Sequence, residues 1–291
     1  MHYRPSTEAP HLRILPLEPV PLAVWEWPRE QDGAPPLLFA HATGFHGRLW
    51  DAVIRLLPGR RAVAVELRGH GRSGKPEPPY RWRAFGADVA ALVRALDLRG
   101  AVGIGHSSGG HAIALAAALA PDAFRSLLLI DPTIFPPERY IQSKFDASFT
   151  LRRKNHWRSA EEMFERFHDR PPFAGWKPEI LRDYCRFGLL PEGDRFVLAC
   201  PPAVEASIYV ESTSPESDIY SEIASIAVPV TVMRAGIVRP PDVFDLSASP
   251  TAPDLASKFR RGRDVLLPGQ SHFIPMELPD RVAEEIESLA L

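Results

Sequence analysis

The stretch AVGIGHSSGGHAIALAAAL, residues 101–119, decides the fold. Its first residues, Ala101–Ile104, form an apolar run typical of a buried strand, and residues 110–119 are rich in alanine and leucine, which favour a helix. Between them, residues 105–109 (Gly-His-Ser-Ser-Gly) fit the pattern G-x-S-x-G. The stretch therefore predicts a strand, a tight turn that presents Ser107, and a helix.

Similar apolar runs recur along the chain, with helix-like stretches between them. Because most runs are apolar throughout, they predict parallel strands covered on both faces. These strand candidates are residues 37–40, 62–67, 101–104, 127–130, 228–233 and 265–267, and the helix candidates are residues 49–57, 85–96, 110–119, 254–259 and 280–289. Two N-terminal stretches, residues 12–18 and 22–27, predict an antiparallel edge hairpin. The pattern predicts an α/β fold with a doubly wound, mostly parallel sheet.

Residues 132–220 interrupt this alternation and are called the insertion below. They contain no obvious buried strand, and prolines divide them into short helical stretches, so we expect a helical cap over the carboxyl edge of the sheet. The core is then residues 1–131 and 221–291. The insertion holds 14 of the 27 aromatic residues, which favours an apolar or aromatic ligand group. Its 12 basic and 14 acidic residues nearly cancel, so we expect no strongly charged substrate.

Composition narrows the function classes. A net charge of −2 gives no general attraction to phosphate backbones, so no nucleic-acid partner is expected. Two cysteines make neither a disulfide framework nor a cysteine-rich zinc site, and no metal is expected. The N-terminus lacks the apolar core of a secretory signal, and no apolar run is long enough for a membrane span. We expect a cytoplasmic protein that acts on a small molecule, with its oligomeric state open.

Ser107 is the candidate nucleophile. Glycines two residues to either side leave room for neighbouring backbone, and the helix N-terminus adds positive charge where an oxyanion would form. A dinucleotide-binding G-x-G-x-x-G pattern would need glycine at position 108, which is serine.

Three further motifs accompany the serine turn: residues 37–45 (LLFAHATGF), 66–74 (ELRGHGRSG) and 269–273 (GQSHF). In their order along the chain, the four motifs resemble the α/β-hydrolase superfamily, capped serine-hydrolase branch. The resemblance implies that His272 is the general base and that no cofactor is needed. It also implies an oxyanion hole from the backbone N–H groups of Ser108 and Thr43, although Ala42 replaces the usual glycine. Candidate pocket residues are Phe45, His46 and His106.

The triad acid has competing candidates. Most relatives place it after the strand equivalent to residues 228–233, where this chain offers only Asp242 and Asp245. Another branch takes it from the end of the preceding strand, where Asp131 lies. We predict Asp131, because a strand end holds a side chain more rigidly than a proline-rich loop.

The expected activity is hydrolysis of carboxylic esters of small to medium apolar or aromatic substrates through an acyl-enzyme. The same triad would serve a carbon–carbon bond hydrolase, a lactonase, an amidase or a thioesterase. A ligand receptor without turnover on this fold is the rival hypothesis from a different functional class.

Overall fold

The computed structural model describes residues 9–28, 33–141, 145–238 and 245–290, and it is built around an eight-stranded sheet. Numbered in chain order, the strands of this sheet are β1 (His11–Leu15), β2 (Leu22–Trp27), β3 (Leu37–Ala40), β4 (Ala62–Glu66), β5 (Ala101–His106), β6 (Phe124–Ile130), β10 (Val230–Ala235) and β11 (Gly262–Leu267). Their spatial order is β1-β2-β4-β3-β5-β6-β10-β11. From β4 to β11 all neighbours pair in parallel, and β1–β2 and β2–β4 pair antiparallel. The predicted doubly wound, mostly parallel sheet is confirmed.

Helices cover both faces of this sheet because most of its strands are apolar on both sides. The helices of the core are α1 (Asp51–Arg55), α2 (Trp82–Ala95), α3 (Ser108–Leu119), α8 (Tyr220–Ile223), α9 (Ile274–Glu277) and α10 (Pro279–Ala290). Helices α2 and α3 pack on one face with Val89 and Ile113, and α1 and α10 pack on the other with Val53 and Ile286. Short 3₁₀ helices span Gly47–Trp50, Pro121–Ala123, Pro137–Ile141, Phe173–Gly175, Pro215–Ser217 and Leu255–Lys258.

The insertion contains helices and also a small sheet. Its helices are α4 (Ser148–Leu151), α5 (Ala160–Phe167), α6 (Pro178–Phe187) and α7 (Pro202–Glu211), and its strands are β7 (His156–Trp157), β8 (Leu189–Glu192) and β9 (Arg195–Leu198). The strands form an antiparallel sheet in the order β7-β9-β8. The expectation of helices alone was therefore incomplete, because these strands are short and only partly buried and do not stand out in the sequence.

An aromatic cluster joins the insertion to loops at the carboxyl edge of the large sheet. Trp176 and Tyr184 of the insertion pack with Phe45, which follows β3, and with Phe273, which follows β11. The ring centroids of Phe45 and Trp176 are 5.5 Å apart, and those of Trp176 and Phe273 are 5.3 Å apart. This packing places the insertion over the edge at which parallel sheets bind ligands. Among the described residues, no helix combines the length and the apolar character needed to cross a bilayer.

The turn between β5 and α3 depends on two close backbone approaches. Ser107 has a positive φ of +56°, a backbone conformation that residues other than glycine rarely adopt. A Cβ atom at Gly105 would lie 2.4 Å from the carbonyl oxygen of Gly109, and one at Gly109 would lie 2.3 Å from that of Ala40. Both distances are far below van der Waals contact, so the two glycines of the G-x-S-x-G pattern are required by sterics.

We predict that Gly109→Ala lowers the free energy of unfolding by about 1–3 kcal/mol, because the added methyl group would overlap the backbone of Ala40 in β3. A matched control is Gly175→Ala, whose Cβ would lie 3.3 Å from the flexible side chain of Glu277. We expect that control to change stability by less than about 0.5 kcal/mol. Chemical denaturation of the three proteins measures the difference, and equal stabilities would contradict the steric argument.

Candidate active site

Ser107 lies where the strand order of the large sheet reverses. Strands β3 and β5 are neighbours, and the chain continues from β3 to β4 on one side and from β5 to β6 on the other. Loops that leave two such strands diverge and open a crevice, which is where α/β sheets bind ligands. The loop after β3 carries Thr43 and Phe45, and the turn after β5 carries Ser107. The fold therefore brings these predicted site residues to one crevice.

The hydroxyl of Ser107 is paired with a threonine that sequence reasoning did not single out. Ser107 Oγ lies 3.0 Å from Thr133 Oγ1, and the backbone N–H of Thr133 donates to the carbonyl oxygen of Ser107 at 3.0 Å. The only available signal was the position of Thr133 two residues beyond Asp131, at the end of β6. The turn after β6 thus holds both the side chain and the backbone of Ser107.

His272 and Asp131 are in direct contact. His272 Nδ1 lies 2.6 Å from Asp131 Oδ2, and the Asp131 side chain is fully buried. The other carboxylate oxygen, Oδ1, accepts from the backbone N–H of Ala235 at 3.0 Å and from Ser249 Oγ at 2.5 Å. Thr251 Oγ1 lies 3.1 Å from the same oxygen. The carboxylate is therefore fixed from one side while its second oxygen binds the imidazole.

These contacts keep Asp131 ionised. Burial alone would raise the pKa of this carboxyl group, but hydrogen bonds from His272, Ser249 and Ala235 together with the charge interaction with His272 lower it below its ordinary value. An ionised Asp131 accepts a hydrogen bond from the Nδ1–H group of His272, and in a neutral imidazole this tautomer leaves Nε2 without a hydrogen. That nitrogen is then a proton acceptor.

The competing carboxylates are placed differently. Asp242 lies outside the described residues. Asp245 is exposed, and its Oδ1 accepts from the backbone N–H of Ser247 at 2.8 Å. Ser247 in turn accepts the backbone N–H of His272 at 2.8 Å, so this segment supports the histidine loop by backbone contact. Of the described candidates, Asp131 is the one whose carboxylate binds the imidazole.

The loop after β3 is tied to the start of α3. Thr43 Oγ1 donates to Ser108 Oγ at 3.0 Å, which joins the two residues predicted to supply oxyanion donors. Among the described residues, neither the N–H of Thr43 nor that of Ser108 donates to another protein group. Two backbone N–H groups are thus available beside Ser107, at the positive end of a helix.

Buried neutral histidines hold this loop in place. His70 Nε2 accepts the backbone N–H of Gly44 at 2.9 Å, and His41 Nε2 accepts that of Leu67 at 3.0 Å. Burial lowers the pKa of His70 to about 4 and that of His41 well below its ordinary value. Since a neutral ring nitrogen is needed to accept an N–H, burial suits both rings to this structural task.

Ser107 and His272 face one cavity of about 830 Å³. Thr43 and Phe45 also line it, as do aromatic residues of the insertion, among them Phe145, Phe149, Trp157, Phe167, Tyr184 and Tyr209. Some aromatic residues of the insertion therefore face the reacting groups, as expected. Within the described ranges, no cluster of three or more His, Cys, Asp or Glu side chains is arranged to hold a metal ion.

Two predicted pocket residues, His46 and His106, do not line the cavity. Both rings are buried behind its wall: His46 Nε2 contacts the carbonyl oxygen of Tyr184 at 3.2 Å, and His106 Nε2 contacts that of His272 at 2.8 Å. Burial lowers the pKa of each to about 3. The prediction that they line the pocket was wrong, because proximity in sequence to Phe45 and Ser107 does not determine the direction of a side chain.

Comparison with known proteins places the chain in a family. The profile described as "Alpha/beta hydrolase family" matches residues 37–285. The 2-(acetamidomethylene)succinate hydrolase of Mesorhizobium japonicum is 28% identical over 261 residues, which cover 87% of this chain and 86% of that protein. A non-heme chloroperoxidase of Streptomyces lividans is 45% identical over 86 residues, 29% of this chain. The match spans only 31% of the chloroperoxidase.

Solved structures are similar over nearly the whole chain. The crystal structure of E-2-(acetamidomethylene)succinate hydrolase superposes with a TM-score of 0.75 at 23% identity, covering 96% of this chain and 98% of the other. The enol-lactonase from Burkholderia xenovorans superposes with a TM-score of 0.66 at 20% identity, covering 95% of this chain and 99% of the other. At these identities the likeness concerns the fold.

The lowered pKa of Asp131 predicts a pH dependence of stability. A carboxyl group with a lower pKa in the folded state stabilises the protein above its unfolded pKa, and that stability is lost as the pH falls through the folded pKa. Asp131→Asn should therefore lower the free energy of unfolding most near neutral pH, and its difference from the wild type should shrink toward pH 4 and below. Urea denaturation across this range measures the difference. Asp245→Asn, at an exposed carboxylate, is the control, and a pH-independent effect of Asp131→Asn would contradict the argument.

Proposed function

The chain belongs to the α/β-hydrolase family, and from this premise we propose that it is a serine hydrolase that cleaves carboxylic esters. One observation carries the proposal. His272, whose ring is hydrogen-bonded to the buried Asp131, lines with Ser107 a single cavity at the carboxyl edge of the sheet. A serine hydroxyl is a weak nucleophile at neutral pH, and an oriented imidazole is what activates it.

The first half of the proposed reaction forms an acyl-enzyme. The Ser107 side chain turns from Thr133 toward His272, and its Oγ attacks the ester carbonyl carbon while His272 Nε2 takes its proton. Asp131 stabilises the resulting imidazolium. The carbonyl oxygen becomes negatively charged and accepts hydrogen bonds from the N–H groups of Thr43 and Ser108. The carbon–oxygen bond to the alcohol then breaks, and His272 returns the proton to the leaving alkoxide.

The second half restores the enzyme. A water molecule gives a proton to His272 Nε2 and attacks the acyl carbon, and the same two N–H groups stabilise the charged oxygen. Collapse of this intermediate releases the carboxylic acid and returns the proton to Ser107 Oγ. The net reaction consumes one water and one ester, and no cofactor enters it.

The cavity supports a substrate of modest size with an apolar acyl or aromatic group. A volume of about 830 Å³ lies within the usual range for small-molecule sites, about 300–1,000 Å³. Phe45, Phe145, Phe149 and Tyr209 supply apolar wall. In this proposal residues 132–220 form a cap that encloses the substrate, and residues 1–131 and 221–291 form the catalytic core.

A second candidate is the same chemistry on another bond. The Mesorhizobium japonicum relative is named for hydrolysis of an acetamidomethylene compound, and a structural neighbour is an enol-lactonase. Acyl transfer to Ser107 suits amides, lactones and thioesters as well as esters. Carbon–carbon bond hydrolysis and ligand binding without turnover are two further candidates for this fold. Repeated turnover of a short p-nitrophenyl ester distinguishes a hydrolase from a receptor.

Replacement of the nucleophile tests the core of the proposal. We predict that Ser107→Ala lowers turnover of this ester by at least about three orders of magnitude while the protein stays folded. It should also abolish labelling by a fluorophosphonate probe, followed by intact-protein mass spectrometry. Ser108→Ala keeps the neighbouring N–H and is the matched control, which should still be labelled. Labelling of the Ser107→Ala protein at the wild-type rate would refute the assignment.

Replacement of the acids distinguishes the candidates for the orienting residue. We predict that Asp131→Asn lowers kcat by about four orders of magnitude, because an amide in its place favours the wrong imidazole tautomer. Asp242→Asn and Asp245→Asn should each retain kcat within a few-fold of the wild type. Steady-state kinetics on the three folded variants measures this. A severe loss at position 242 or 245, with Asp131→Asn active, would transfer the role to the later loop.

A further inference from the structure

The cavity wall is more basic than the insertion as a whole. Among the described residues it contains six cationic side chains against three carboxylates. The cations are Arg139, Arg152, Arg153, Lys154, Arg166 and Arg234. The near-balance of charge over the insertion therefore does not hold at its inner surface, because neighbours in sequence point to different sides.

Some of the carboxylates that pair with these cations lie outside the cavity wall. Lys154 pairs with Glu162 at 2.5 Å and Arg234 pairs with Asp264 at 2.6 Å, and neither of these acids lines the cavity. Arg152 and Arg166 are exposed residues of the wall. The two ion pairs neutralise Lys154 and Arg234, so it is exposed cations such as Arg152 and Arg166 that can attract anionic ligands to the cleft.

Arg153 differs from Lys154 and Arg234 in that its partners also line the cavity. Its guanidinium binds Glu205 and donates to the hydroxyl of Tyr184 at 2.9 Å, and the side chains of Arg153 and Glu205 are only 24% and 6% exposed. All three residues line the cavity. A guanidinium has five N–H donors, and these contacts use two of them. A mostly buried arginine with spare donors is suited to a planar anion such as a carboxylate.

The Arg153 guanidinium also lies beside the loop after β3, which carries Thr43. A Cβ atom built on Gly44 would be 3.4 Å from Arg153 Nη1 and 3.0 Å from Glu205 Oε1. Gly44 directly follows Thr43, whose N–H is the proposed oxyanion donor. If the carbonyl oxygen of a substrate binds at Thr43, a group at the end of a short acyl chain can therefore reach Arg153.

We propose that the cavity takes esters whose acyl chain ends in a carboxylate, and that Arg153 binds this carboxylate. The inference rests on the proposed serine-hydrolase function and names its substrate class. Glu205 holds the guanidinium in place, and the aromatic wall packs against the apolar part of the acyl chain. Arg153 is then a specificity-determining residue, and the proposal departs from the expectation, drawn from composition, of no strongly charged substrate.

Two matched esters test the proposal: the mono-p-nitrophenyl ester of adipic acid and the corresponding ester with a terminal carboxamide. Rates are corrected with the Ser107→Ala protein, which reports uncatalysed hydrolysis. We expect wild-type kcat/KM to favour the carboxylate ester by about tenfold or more, as for a charge-assisted hydrogen bond. A ratio near one for the wild type would overturn the proposal.

Substitution assigns the preference to Arg153. Arg153→Met alone leaves the buried Glu205 unpaired, so the double variant Arg153→Met/Glu205→Gln, which removes both charges, is measured beside it. In the folded variants the ratio should fall to about one, whereas Arg195→Met, at an exposed arginine outside the cavity, should keep the wild-type ratio. An unchanged ratio in the double variant would refute the role of Arg153.

Failure of the serine-hydrolase function has a different signature. In that case neither ester is turned over faster than by Ser107→Ala, and the carboxylate site is measured by titration calorimetry with adipate. Binding to the wild type that is lost in the double variant would uphold the site for Arg153. No binding to the wild type would overturn it.

Discussion

The 2.6 Å hydrogen bond between His272 Nδ1 and Asp131 Oδ2 joins segments 141 residues apart and is the contact on which the site depends. It requires a carboxylate that stays ionised although it is buried. His272 itself favours the ionised form, and the N–H of Ala235 at the end of β10 and the hydroxyl of Ser249 in the loop after it bind the other oxygen. A carboxylate with these partners has little freedom to turn, so the imidazole inherits a fixed orientation and tautomer.

The parts of the fold that the sequence predicted are those set by local sterics and by apolar runs. The apolar run of residues 37–40 became β3 with the same bounds, and the glycines around Ser107 are needed because backbone atoms of Gly109 and Ala40 fill the space of a side chain. The preference for Asp131 rested on the rigidity of a strand end. Its placement against His272 agrees with that reasoning, because Asp131 directly follows β6 and the end of the neighbouring strand β10 donates the N–H of Ala235 to its carboxylate.

The features that sequence reasoning missed depend on which way side chains point in the folded chain. Strand β9 was missed because it has only four residues and is only partly buried, so its three apolar residues do not stand out. His46 and His106 follow or precede cavity residues, yet both turn behind the wall. The charge of the insertion sums to nearly zero, but Glu162 pairs with Lys154 from outside the cavity, so the balance is spatially divided. None of these directions can be deduced from a composition or a motif.

The most direct test of the central claim, that Asp131 orients His272 for catalysis at Ser107, is a crystal structure of the covalent adduct with an aryl phosphonate. We predict phosphorus bonded to Ser107 Oγ, the phosphonyl oxygen within about 3.2 Å of the backbone nitrogens of Thr43 and Ser108, and an intact bond between His272 Nδ1 and Asp131. Phosphorus on another side chain, or a His272 ring bound to Asp242 or Asp245 instead, would contradict the account.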